Sequence, residues 1–139
     1  MTEFDKKLVV VLNEKVEKGK AMNALAHAML GFGAGIVTKE EVHLNKYEDA
    51  DGNIHDNISE MGIVVLRAGS NKIRTIKNKA KEMDLKFVDF VETMSVGTYE
   101  EEFELTKTKK DEELNYWALI LYGEWDKVTE LTEKLSLYK

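Results

Sequence analysis

Five consecutive apolar residues, Leu8-Val9-Val10-Val11-Leu12, follow a polar start. The run is too short for a helix and apolar on both faces, so it predicts a central strand in a sheet covered on both sides. A charged turn comes next. Between residues 20 and 32 the apolar positions recur as Ala21, Met22, Leu25, Ala26, Met29 and Phe32, which is helical spacing. Gly31, Gly33 and Gly35 predict the end of that helix, because glycine supplies the permissive backbone of a C-cap. Residues 41–58 lose the periodicity and carry Asp51-Gly52, which predicts a surface excursion or an edge hairpin.

Residues 63–66 predict a second buried strand. Ser70 is placed to cap a following helix with Ile73, Ile76, Ala80 and Met83 as its buried stripe. Residues 85–91 alternate as a strand, with Leu85, Phe87 and Asp89 on one face and Lys86, Val88 and Phe90 on the other. Residues 96–108 fit a loop or an edge strand. Residues 116–122 form the clearest late strand, stopped at Gly123, and Trp125, Val128, Leu131, Thr132 and Leu135 predict a closing amphipathic helix. This order predicts one α/β domain over residues 1–139, a mixed, largely parallel sheet of about four strands flanked by helices. Ligands of such sheets sit beyond the carboxyl ends of strands. The first strand ends at the turn formed by residues 15–20.

Composition narrows the classes. A chain of 139 residues buries roughly two-thirds of its unfolded surface as one domain. Hydrophobic content of 43% beside 33% charged residues reads as globular, not disordered. The longest apolar runs, residues 8–12 and 117–122, fall far short of the ~20 residues that span a bilayer. Glu3 and Asp5 stand where a signal peptide needs basic and apolar residues. A cytoplasmic location and no membrane partner are therefore expected. The absence of cysteine excludes disulfides, a thiol nucleophile and thiolate metal sites. A net charge of −6 argues against a general nucleic-acid coat protein. The charge is uneven, with Lys72, Arg74, Lys77, Lys79 and Lys81 in one segment and Glu100, Glu101, Glu102 and Glu104 in another. The basic segment reads first as a solvated helix face, and second as a face for an anionic partner.

Candidate chemistry concentrates at Lys18-Gly19-Lys20. A helix beginning there offers free backbone N–H groups, a positive dipole end and two ammonium groups, which together form an anion site. The plainer reading is a helix that starts with solvated lysines. His27 lies two turns beyond Lys20 on the same general side; among Leu25, Ala26, Ala28 and Met29 it reads as a packing residue before it reads as a base. Glu92 at a strand end is a candidate general base or a partner for Lys20. Asp49, Asp51, Asn53 and Glu60 fail as a calcium loop, because Ile54 stands where the sharp turn needs glycine. His43 and His55 lack zinc spacing. No metal site and no cofactor are expected.

Lys18-Gly19-Lys20 followed by His27-Ala28, together with the ending Leu135-Ser136-Leu137-Tyr138, resembles the type-2 peptidyl-tRNA hydrolase fold family, and most of all its uncharacterised branch. The resemblance covers nearly the whole chain except residues 36–60. It implies that the family's catalytic lysine falls on Lys20, its catalytic aspartate on or near Glu92, and its threonine on Val96, with Thr93 and Thr98 nearby. The family's glutamine falls on Ala24, which donates no hydrogen bond. Asn23 carries an amide but lies about 100° around the helix from position 24. Related folds imply a homodimer.

Three functions follow as expectations. The first is a binding module for a small anionic or phosphorylated ligand, held by Lys18, Gly19, Lys20 and Asn23 together with Glu92, with Thr93 and Thr98 as further contacts. The second is a hydrolase of altered specificity toward an acyl ester or peptidyl-tRNA-like substrate, with Lys20, Glu92 and His27 as its polar groups. The third is a homo-oligomeric interaction protein using an apolar surface near Trp117 or Trp125.

Overall fold

The computed structural model describes residues 4–139. The chain runs β1 (Lys6–Asn13), α1 (Lys18–Gly35), β2 (Leu44–Glu48), β3 (Ile54–Ser59), β4 (Ile63–Ala68), α2 (Ser70–Glu82), β5 (Lys86–Val91), a 3-10 turn (Glu92–Ser95), α3 (Tyr99–Lys107), a second 3-10 turn (Asp111–Glu113), β6 (Tyr116–Glu124), α4 (Trp125–Thr132) and β7 (Ser136–Leu137). Five strands form one sheet in the order β5-β6-β1-β4-β7, and β2 and β3 form a separate two-stranded ribbon. The apolar run of β1 does occupy the centre of the sheet.

The sheet is mixed, but mostly antiparallel rather than largely parallel. Only β1 and β4 pair in parallel; β1–β6, β5–β6 and β4–β7 are antiparallel. These pairings point β1, β4 and β5 the same way, as successive strand–helix–strand units require. The segment after β5 makes no crossover. It turns back over the carboxyl edge through α3, and β6 enters reversed between β5 and β1.

The two faces of the sheet carry separate cores. Leu8, Val10 and Leu12 of β1 meet Ala21, Ala24, Ala28 and Phe32 of α1, along with Phe90, Ala118, Ile120 and Tyr122. On the other face Val9 and Val11 meet Ile73, Ile76 and Ala80 of α2 and Val128 of α4. The buried stripe of α1 is thus centred on alanines, whose small side chains let the helix lie close to the sheet, while Met22 and Ala26 face outward.

Other differences have local causes. Helix α1 continues through Gly31 and Gly33 to Gly35, because the burial of Phe32 outweighs a glycine penalty of about 1 kcal/mol each. Ser70 does not cap α2; Gly69 is its N-cap, and the Ser70 hydroxyl instead accepts the Tyr116 N–H at 2.8 Å. Residues 99–107 are helical where a loop or strand was expected, with Thr98 and Glu101 forming a reciprocal capping box. Strand β6 runs past Gly123 to Glu124, and α4 stops at Thr132, so that Leu135 leads into the edge strand β7. The excursion is a ribbon turned at Gly52, whose φ of +85° favours glycine. No helix among the described residues is long and apolar enough to cross a membrane.

Candidate functional site

A cleft of about 450 Å³ opens at the carboxyl ends of β1 and β5, lined by Gly19, Lys20, Asn23, Glu92, Ser95, Val96 and Trp117. Three elements build it. Asn13 closes β1 and shapes the turn into α1 by accepting the Lys15 N–H on its side-chain oxygen at 2.9 Å. Helix α1 then starts with no side chain capping its N-terminus and no acidic residue in its first turn. Its first N–H groups therefore face outward beside the cleft, where they favour negative charge. Lys20 makes no hydrogen bond or ion pair among the described residues. It brings an unneutralised ammonium to the same end.

Glu92 follows β5 directly. Its carboxylate accepts the Asn115 N–H through Oε2, its own N–H donates to the Asn115 carbonyl at 3.0 Å, and its carbonyl accepts the Ser95 hydroxyl at 2.6 Å. Oε1 has no partner among the described residues. No ion pair joins Glu92 to Lys20, so the cleft holds a cation and a carboxylate side by side, each able to meet a ligand.

Trp117 is the residue that sequence reasoning missed as part of the cleft. The β5–β6 register jumps from Phe90↔Ala118 to Val91↔Tyr116, which leaves Trp117 as the extra residue of a β-bulge. The bulge breaks the alternation of β6 and turns Trp117 toward the α1 face, while Tyr116 goes to the α2 face. The indole packs on Phe90 at a centroid distance of 5.9 Å, and its N–H is buried with no hydrogen-bond partner among the described residues. Two tryptophans in the chain marked it as conspicuous, but only the bulge assigns its side.

The remaining expected residues fall elsewhere. Lys18 is exposed and does not line the cleft. His27 is exposed and stacks its ring on Phe90 at 5.9 Å, outside the lining. Thr93 is buried, and its hydroxyl is shared with that of Thr106 at 2.6 Å. Thr98 is occupied as the cap of α3. Ala24 is fully buried against the sheet, whereas Asn23, one turn from Lys20, shares its cleft without any rotation of the helix.

The five cations of the basic segment do not form one face. Arg74 donates to the carbonyls of Asp111 and Leu114 at 2.9 and 2.6 Å, and Lys77 pairs with the Asp111 carboxylate at 3.0 Å. Lys72 and Lys79 line a groove between α2 and α4 together with Glu82, Glu130 and Lys134.

A family model described as a protein of unknown function (DUF2000) matches residues 6–139. The fold is similar to that of a protein of unknown function, Atu0240, from Agrobacterium tumefaciens strain C58, with a TM-score of 0.83 and 22% identity over 98% of this chain and 99% of that one. No curated protein matches the chain.

Proposed function

The chain belongs to the DUF2000 family of proteins of unknown function, and we propose that it binds a small anionic ligand in the cleft at the start of α1. The observation that carries this reading is the unpaired Lys20 ammonium beside the uncapped N-terminal turn of α1. An ammonium and free N–H groups at one helix end favour an anion before any ligand arrives, and the Glu92 carboxylate in the same cleft is left to accept a donor from that ligand. The acidic helix α3, with Glu100, Glu101, Glu102 and Glu104, follows Val96 closely and disfavours a polyanion over a single charged group. Chemical-shift titration with inorganic phosphate and with butyrate tests the reading. Saturable shifts at the Gly19 and Lys20 amides, lost in Lys20→Ala, are expected. Wild-type amides that stay in place with both anions would refute it.

One observation favours a second reading, a hydrolase acting on an acyl ester. Asn23 brings an amide to the cleft that also holds Lys20 and Glu92. In that reading Glu92 takes a proton from water, the hydroxide adds to the ester carbonyl, Lys20 and Asn23 stabilise the oxyanion, and the leaving alkoxide takes the proton. The peptidyl-tRNA hydrolase resemblance belongs to this reading. Release of tRNA from an N-blocked aminoacyl-tRNA, abolished in both Lys20→Ala and Glu92→Ala, would support it; no release above buffer would remove that substrate.

A further inference from the structure

Helix α3 buries none of its nine residues, whereas α1, α2 and α4 each seat buried residues against the sheet. A helix this short is marginal in water unless a packed face holds it. What holds α3 is local: the Thr98–Glu101 capping box, three glutamates in its first turn and Lys107 in its last. Among the described residues, every hydrogen bond made by residues 98–110 ends within residues 98–113, with one exception. The Thr106 hydroxyl reaches out to the hydroxyl of Thr93, 2.6 Å away, and Thr93 is 1% exposed.

The two ends of this stretch are fixed by other means. Glu92 exchanges two hydrogen bonds with the Asn115 backbone, and Asp111 is held by Arg74, Lys77 and Asn78. Between these anchors the chain passes Ser95 and Val96, which line the cleft, and turns at Gly97, whose φ of +66° favours glycine. We propose that α3 is a strap, latched by Thr106 on Thr93, that opens without the rest of the fold and draws Ser95 and Val96 off the cleft while Glu92 stays in place. Opening breaks one hydrogen bond to the body and wets one buried hydroxyl, and it leaves both cores intact. Gly97 and residues 108–110 are its joints, because they connect the helix to the two anchors. Helix α3 rests on the 3-10 turn Glu92–Ser95, so freeing the helix unseats the far end of that turn. The cleft therefore has two states, one walled by Ser95 and Val96 and one open on that side, whatever occupies it.

Native-state hydrogen exchange of the full chain, followed by amide NMR in urea below the unfolding transition, tests this. The amides of residues 102–107 are expected to exchange through an opening that urea leaves nearly unchanged, roughly a hundredfold or more faster than those of Val10 and Ile120. Thr93→Val and Thr106→Val each remove the latch and keep a branched side chain of similar size. Each should speed α3 exchange about five- to tenfold, the equivalent of one hydrogen bond. Each should also shift the Ser95 and Val96 amides, with the clasped Asn115 amide, Val10 and Ile120 unchanged. Thr93→Val leaves the bond from Thr106 to the Glu102 carbonyl intact, so its effect reads the latch alone. The double variant should do no more than either single one, since the two hydroxyls serve one bond. Exchange of α3 only through the urea-dependent opening shared with Val10 would overturn the strap, and wild-type protein suffices for that measurement. Additive effects of the two variants would overturn the latch. Ser95 and Val96 amides that respond to neither variant would overturn the link to the cleft.

Discussion

Asn115 clasps Glu92 through both of its backbone groups, its N–H on the Glu92 carboxylate and its carbonyl on the Glu92 N–H at 3.0 Å. The clasp ties the cleft carboxylate to residues 111–117, and that segment is anchored on the opposite face of the sheet. There Arg74 holds the carbonyls of Asp111 and Leu114, while Lys77, Asn78 and the Tyr116 hydroxyl converge on the Asp111 carboxylate. Two residues past the clasp comes the bulged Trp117. The positions of Glu92 and Trp117 in the cleft are therefore tied, through residues 111–116, to contacts made to α2 on the far face of the sheet.

Asn13 fastens this segment to the sheet. It is buried, and its side-chain amide donates to the Tyr116 carbonyl at 2.8 Å and to the Asn115 side-chain oxygen at 3.3 Å. Asn13→Ala removes those donors and the acceptor of the Lys15 N–H, leaving a buried carbonyl unpaired. A loss of about 1–3 kcal/mol in urea denaturation is expected. Anion binding should weaken too, because both the turn into α1 and the clasp on Glu92 loosen.

Two aspartates near Lys77 respond to pH in opposite senses. Partial burial alone would raise the Asp111 carboxyl, but hydrogen bonds from Tyr116, Lys77 and Asn78 outweigh it and hold it at about 2. The unfolded value is about 4, so the stability contributed by Asp111 is present above that and is lost as pH falls toward 2. Burial pushes Asp89 up, with Asp111 adding to the shift and Lys77 opposing it. An acid raised on folding favours the fold below its unfolded value and loses that advantage as pH rises through its folded value. Asp111→Asn should lower the urea midpoint at neutral pH, the deficit shrinking between about pH 4 and pH 2. Asp89→Asn should raise the neutral-pH midpoint, with the gain gone near pH 3.

What the sequence disclosed depended on whether the physics was local. The β1 strand was legible because residues 8–12 are apolar on both faces, and both faces are covered. Lys20 and Glu92 stood out as charged groups at element ends, and they line one cleft together with Gly19 and Asn23. Helix α3 was not legible, since Tyr99, Phe103 and Leu105 meet no core and leave no buried stripe. Nor was the reversal of β6, because an apolar strand reads alike in either direction. Thr93 and Thr98 looked like available hydroxyls; a shared hydrogen bond and a helix cap have taken them. Trp117 depended on the register between Phe90 and Val91, which only strand pairing sets.

Gly123 lies against the side chain of Leu85. A β-carbon at Gly123 would run into the Leu85 Cδ2 at the edge of the α2-side core. Gly123→Ala should cost about 1–3 kcal/mol by overpacking. In a Leu85→Ala background the clash is gone, and the same substitution should cost much less. A double-mutant cycle in urea reads the coupling directly; additive effects would mean that β6 yields at Gly123 without contact with Leu85.

The amide that the family resemblance places at position 24 has no room there. Ala24 is fully buried among Leu8, Val10 and Phe32 of the α1-side core, and its side chain faces the sheet. Ala24→Gln would force a larger polar group into a packed apolar site, at a cost of about 2–5 kcal/mol from overpacking and an unpaired amide. It should lower stability without adding a donor to the cleft. Position 23 already faces the cleft and is exposed, so Asn23→Gln should fold normally and extend the amide over Lys20 by one methylene. Ester hydrolysis measured on both variants separates the positions. Activity gained by Ala24→Gln at unchanged stability would show that α1 sits rotated in solution; activity altered only through Asn23 would place the working amide one residue earlier than the resemblance implies.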